Sequence, residues 1–174
     1  MANIDVTTRA ADSIAANNEV GRGYTRQVTL TWEDIKSDGA AADDSDTITY
    51  ELFPLPVGCI LKGVHYYLRT AFDDSGGGSS LTLQIGDTGD PDGIMTAKQI
   101  HVDGTEIPAG GGDGAYFTVG GDAGTKNDRC YGDGTITANT VEALFTPSGF
   151  YLGELTAGEV VFVAEIIYLN LAQS

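Results

Sequence analysis

Positive charge is scarce in this chain: nine lysines and arginines face 25 aspartates and glutamates, for a formal net charge of −16 at pH 7. Such a balance repels phosphate backbones and argues against nucleic acid as a partner. Cysteine is equally sparse. Cys59 and Cys130 lie far apart with no Cys-x-x-Cys and no neighbouring histidine pair. A zinc site is therefore not supported, and both are read as reduced thiols in or near the core. No stretch approaches the roughly 18 consecutive apolar residues of a membrane helix. The N-terminus MANIDVTTRAADS lacks the apolar core of a signal peptide. The expectation is a soluble, cytosolically made protein that engages neither nucleic acid nor membrane. Internal repeats of solenoid or propeller type are absent, as is any convincing amphipathic helix of ten residues or more.

What the chain has is glycine, alternation and acid. With 174 residues and 41% hydrophobic content it suits one domain able to bury a sizeable core. Its 24 glycines fall in clusters such as Gly76 to Gly78 and Gly110 to Gly112, the mark of many short turns. The acid is uneven. In residues 1–26, Arg9, Arg22 and Arg26 balance Asp5, Asp12 and Glu19, so the whole excess belongs to residues 27–174.

Residues 1–24 show little period-2 alternation and few large apolar groups, and read as an extended arm with at most a helical turn near Ala10 to Ala16. From Arg26 the pattern becomes that of strands. Val28, Leu30 and Trp32 share one face, as do Ile48, Tyr50 and Leu52 before Pro54 and Pro56. Cys59 to Phe72 reads as a long strand bent at Gly63 by a bulge, with Ile60, Val64, Tyr66, Leu68 and Phe72 on one parity. Leu81, Leu83 and Ile85 give the clearest alternation. Further strands are expected at Ile94 to Val102, Ala115 to Val119, within Thr135 to Phe145, and at Phe150 to Leu152, with a turn at Thr156 to Glu159. Val160 to Leu171 is apolar on both parities, as in a strand covered on both faces. Eight or nine such strands predict an all-β fold: an antiparallel, jelly-roll-like β-sandwich over residues 25–174 with an N-terminal arm over 1–24.

Sites for chemistry are few. In IGDTGDPDG, Asp87, Asp90 and Asp92 are candidates for calcium, which wants several converging carboxylate oxygens. Placing Gly93 at the sixth position of an EF-hand puts Thr88 first and Gln99 twelfth, so two expected carboxylates are missing. Asp-Pro-Asp-Gly is more simply a turn. His65 and His101 lack an evident partner for acid-base work and are read as exposed or interface histidines. The acids are read as solvated loop charge rather than a glycosidase pair. Trp32, Tyr66, Tyr67, Tyr116, Tyr151 and Tyr168 could in principle build a sugar platform, although such residues more often fill cores and interfaces. Tyr67, off the apolar parity of its strand, is the best contact candidate.

Three segments, GCILKGVHYYLRTAF, LTLQIGDTGDPDGIMTA and TITANTVEALFTPSGFYLGELTAGEVVFVAEIIYLNL, together resemble small virion structural proteins of tailed bacteriophages over roughly residues 45–171. The resemblance implies a non-enzymatic capsid decoration (cement) protein made in the host bacterial cytoplasm. It would bind the major capsid protein on the outer surface of the virion and stabilise the shell as an oligomer, in the usual case a homotrimer. It implies no catalytic residue and no cofactor. On this reading Arg9, Arg22, Arg26 and Tyr67 are partner-contact candidates, and the final strand packs between copies. A head fibre or tail component and a glycan-binding sandwich are the alternatives.

Overall fold

The computed structural model describes residues 2–5, 23–38, 46–55, 59–78, 80–102, 115–119, 129–131 and 139–168. Its strands are β1 (Ala2–Asp5), β2 (Gly23–Thr31), β3 (Ile48–Leu55), β4 (Cys59–Asp74), β5 (Ser80–Asp87), β6 (Asp90–Gln99), β7 (Ala115–Val119), β8 (Arg129–Tyr131), β9 (Asn139–Ser148) and β10 (Leu155–Tyr168). One short helix, α1 (Trp32–Asp38), follows β2.

Two sheets form, ordered β1-β3-β9-β5-β6 and β2-β10-β4-β7, with β8 also on β4. The pairs β2·β10, β3·β9, β4·β7 and β5·β6 are antiparallel and nested. The body is therefore one long hairpin, rolled so that β10 also meets β4 and β9 also meets β5. That is the jelly roll expected from the alternation. The hairpin's tip is the β5–β6 turn, where Asp87 pairs with Asp90 across Thr88 and Gly89.

Alternation decides the core. Ile48, Tyr50 and Leu52 on β3, Leu81, Leu83 and Ile85 on β5, and Val160, Phe162, Ala164 and Ile166 on β10 are all buried. Phe145 of β9 meets Tyr50 of its own sheet edge-on at 5.8 Å and Phe72 of the opposite sheet at 6.1 Å, which ties the two layers together.

Several boundaries differ from expectation for local reasons. Trp32 starts a helix instead of ending a strand, because Thr31 and Asp34 form a reciprocal cap. The Asp34 amide donates to Thr31 Oγ1, and Asp34 Oδ2 accepts from the Thr31 amide at 3.0 Å and its hydroxyl at 2.8 Å. The helix then anchors on the body through Lys36 Nζ, which donates to the Leu155 carbonyl at 3.2 Å and lies over the Trp32 ring. On β4 the bulge at Gly63 is present, but it shifts the parity, so Leu61 is the buried residue ahead of it. Asp90 to Gly93 belong to β6 and the turn sits earlier, at Thr88 and Gly89. Phe150 to Leu152 is not a strand: a 3-10 turn occupies Leu152–Glu154, with the Glu154 amide donating to the Tyr151 carbonyl. The expected turn at Thr156 to Glu159 lies inside β10, whose pairing with β4 is irregular there.

Gly158 sits in that irregular stretch at φ +136°, and a Cβ there would lie 2.2 Å from the Phe72 ring. Both backbone and packing require glycine at this position. Gly158→Ala is expected to destabilise the fold by about 2–3 kcal/mol, read as a lowered urea midpoint with an unchanged slope.

Candidate functional site

The β4–β5 connection carries the chain from one sheet to the other, and a densely bonded polar cluster lies there. Asp74, the last residue of β4, turns its carboxylate into the Asp-Ser-Gly-Gly-Gly turn. It accepts from the Gly76 amide at 2.5 Å and from the Gly78 amide at 2.9 Å. This is the local habit of aspartate before a glycine-rich turn. His101 approaches from the far end of β6, with Nε2 3.0 Å from Asp74 Oδ2. A carboxylate only accepts, so this ring nitrogen donates. The His101 side chain is 0% exposed and that of Asp74 1%.

Backbone bonds explain why the histidine is inside. The Ile100 amide donates to Leu81 of β5 at 2.9 Å, while its carbonyl accepts from Phe72 of β4 at 3.0 Å; the Val102 amide then donates to the Phe72 carbonyl. Ile100 to Val102 is thus stitched to both sheets, and His101 points into the seam. Its ring packs 5.4 Å from that of Phe150, and Phe150 in turn fills the space where Gly78 lacks a side chain. The expectation that His101 is an exposed or interface residue is therefore corrected. The partner it lacked in sequence is Asp74, brought near by the roll.

Burial raises the Asp74 carboxyl, and the Gly78 and Gly76 amides together with the bond to His101 and its charge more than offset this. The net result is a value below the ordinary 3.8. Asp73, Asp74 and His101 place ligand-type atoms within 4.8 Å of one another, the one such trio among the described residues. The oxygens of Asp74 already serve two amides and the imidazole, and Asp73 Oδ1 accepts from the Asp74 amide at 2.9 Å. An ion would have to displace these bonds. The trio reads as a structural clasp whose Asp74–His101 pair is closed to solvent.

The other sequence candidates lie elsewhere. Asp87 is buried at the hairpin tip, where its Oδ1 takes the Gly89 amide at 3.0 Å, while Asp90 and Asp92 are exposed. Beside them Thr88 donates to Glu142 Oε1 at 2.9 Å. Tyr66 is in the core, Trp32 packs partly against it, and Tyr151 is exposed at the 3-10 turn. The side chains of Tyr116 and Tyr168, like Arg9 and Arg22, lie outside the described residues. So do the side chains of Cys59 and Cys130, whose strands are neighbours.

Tyr67 and Arg26 are both half-buried. Tyr67 stands on the outward face of the β2-β10-β4-β7 sheet, opposite Val161. Thr25, Gln27 and Thr29 of β2 and Val163 and Glu165 of β10 continue that face, along with His65 of β4, whose Nε2 is 3.9 Å from Glu165 Oε1. Near its margin Arg69 pairs with Glu159. The final strand is thus core-buried on one parity and only partly covered on the other: Val161 is 5% exposed, Val163 and Ile167 are half-buried and Glu165 is exposed.

No protein-family model matches the chain, and no curated protein matches its sequence. Solved structures do. A chain from the capsid of Ralstonia phage GP4 is similar over 96% of this chain and 98% of its own, at 13% identity and a TM-score of 0.52. Chains from the cyanophage Pam1 capsid and the acid-stable capsid of Helicobacter pylori bacteriophage KHP30 are 19% and 11% identical. The first covers 88% of this chain and 89% of its own, the second 86% and 88%, each with a TM-score of 0.49. At this identity the GP4 likeness establishes a shared all-β sandwich fold. No helix among the described residues is long and apolar enough to cross a membrane.

The clasp makes a pH dependence. A carboxyl held below its ordinary value in the folded state contributes stability above that value, lost as pH falls through the folded one. Stability is expected to drop below about pH 3.8, and Asp74→Asn should flatten this acid limb. The same change should cost about 2 kcal/mol near neutrality, measured by urea unfolding at several pH values.

Proposed function

We propose that this chain is a structural protein of a bacteriophage virion, a non-enzymatic decoration (cement) protein bound to the outer surface of the capsid as an oligomer. The observation that carries the reading is the end-to-end likeness of its jelly roll to a chain in the capsid of Ralstonia phage GP4. Chemistry supports it by direction. The Asp74–His101 pair is enclosed and offers no surface to a substrate, whereas the outward face brings Tyr67, Val161 and Val163 together, with Glu165 and the Arg69–Glu159 pair at their margin. A β-branched and aromatic centre of this kind costs little to desolvate and suits contact with protein. The acidic remainder keeps decorated particles apart.

The major capsid protein is the proposed partner, and self-association, as a homotrimer, uses the outward face of β10. The reading requires no metal or cofactor. Calcium at millimolar concentration is expected to leave the melting temperature unchanged; a rise that saturates and is lost in Asp87→Asn would instead establish the hairpin tip as a cation site.

The test of function is co-sedimentation with undecorated capsids assembled from the major capsid protein of the same phage. The native chain should pellet with the shells. Val163→Lys, which sets a charge in the middle of the outward face, should weaken binding at least tenfold while leaving the circular dichroism spectrum unchanged. A native chain that stays in the supernatant at micromolar concentrations would defeat the reading. Retention on a glycan surface, lost in Tyr67→Ala, would replace it with a carbohydrate-binding one.

A further inference from the structure

Strand β1 stands apart from the rolled hairpin. It pairs with β3 in parallel, Ala2 with Ile48 through Asp5 with Glu51, at the outer edge of its sheet. Among the described residues every other pair of neighbouring strands is antiparallel. Its main contact is with β3, and residues 6–22 lie between it and β2. A stretch of that length spans up to about 60 Å at roughly 3.5 Å per residue. A five-stranded sheet is only about 24 Å wide at roughly 4.8 Å per strand, and two stacked sheets lie about 10 Å apart. The link is therefore long enough to leave the sandwich on which it starts, and covalent geometry does not dictate whose β3 receives β1.

The edge itself must be covered. β3 supplies Ile48, Tyr50, Leu52, Phe53 and Leu55 to the core, and with β1 removed it would show a bare row of backbone donors and acceptors. The residues that satisfy that row are identical whether they come from the same copy or the next one, so the ladder formed is the same in either case. Only the closing entropy differs. A tether of this length gives its own strand an effective concentration on the order of millimolar. Copies held side by side in an oligomer reach a similar local concentration, so the choice between own edge and neighbour's edge is nearly balanced and is set by proximity.

We infer that β1 is an exchangeable strand: in the assembled oligomer, residues 2–5 of one copy dock in parallel on the β3 edge of a second copy and tie the two together. The inference rests on the oligomer reading above, and gives it a physical connection separate from the outward face of β10. Such an exchange adds a mechanical link between copies without any new recognition surface, since the edge and its occupant are already matched.

Asn3 and Thr49 are register partners, so cysteine at both positions reports the docking. Chains carrying only Asn3→Cys are mixed with chains carrying only Thr49→Cys, unfolded, refolded together at high concentration and oxidised. A disulfide joining the two substituted positions can then arise only between copies. We expect a product of twice the chain mass whose yield rises with protein concentration and whose linked peptides map to residues 3 and 49, distinct from any involving Cys59 or Cys130. If that disulfide forms only within single chains of an Asn3→Cys/Thr49→Cys double variant, or forms in neither experiment, the inference is overturned. Capsid co-sedimentation of the native chain is scored separately, so a failure of exchange and a failure of the capsid reading are told apart.

Discussion

The carboxylate of Asp74 is the constraint on which the architecture turns. A rolled hairpin must carry its chain from one sheet to the other, and each crossing leaves backbone amides without ladder partners in a partly buried place. At the β4–β5 crossing one side chain collects two of them, from Gly76 and Gly78, and holds the imidazole of His101 as well. His101 in turn lies between Ile100 and Val102, whose backbones reach both sheets. The outgoing and returning limbs of the hairpin are thereby locked at one point. A buried carboxylate is costly in isolation and stable here because three donors converge on it.

Around that lock, glycine and aromatic side chains are matched in pairs. Phe150 fills the site where Gly78 lacks a side chain, and Phe72 does the same at Gly158. The Ser75 amide donates to the Glu154 carbonyl and so fastens the crossing to the 3-10 turn that precedes β10. The same logic recurs at the hairpin tip. Any side chain at Gly86 would collide with the backbone of Asp90 and Pro91, and Asp87 and Glu142 take up the Gly89 amide and the Thr88 hydroxyl. Glycine in this chain thus permits close crossings of backbone and ring at least as much as it makes turns.

Much of this was legible in the residues, and the misses have physical causes. Strands whose pleat stays regular could be read directly: Leu81, Leu83 and Ile85 lie where alternation puts them. Where a bulge intervenes, parity shifts, and Leu61 ahead of Gly63 is buried although it lies off the parity read from Val64 to Phe72. The cap at Thr31 and Asp34 was visible as Thr-x-x-Asp, but Trp32 continued the β-alternation by one residue and hid it. His101 could not have been placed from its own neighbourhood. Its partner is 27 residues earlier, and what joins them is the roll, a property of the whole chain. The outward face of β10 was foreseen as apolar, yet whether Val161 and Val163 are covered depends on the neighbours β2 and β4 supply.

The distribution of polar groups then bears on what the protein is built to do. Among the described residues, Asp74 and His101 are enclosed and bonded to each other. The exposed acids, such as Asp90, Asp92 and Glu165, lie at the tip and on strand surfaces without converging among the described residues. What remains accessible is shape: on one side a sheet face where Glu165 and the Arg69–Glu159 pair flank Tyr67 and Val163 and, at the edge of the other sheet, a strand that the rolled topology does not require. A fold that presents faces and edges fits the proposed contact with other copies and with a shell. On the proposed decoration role, the acidity of the chain acts between particles, as repulsion among the surfaces it covers.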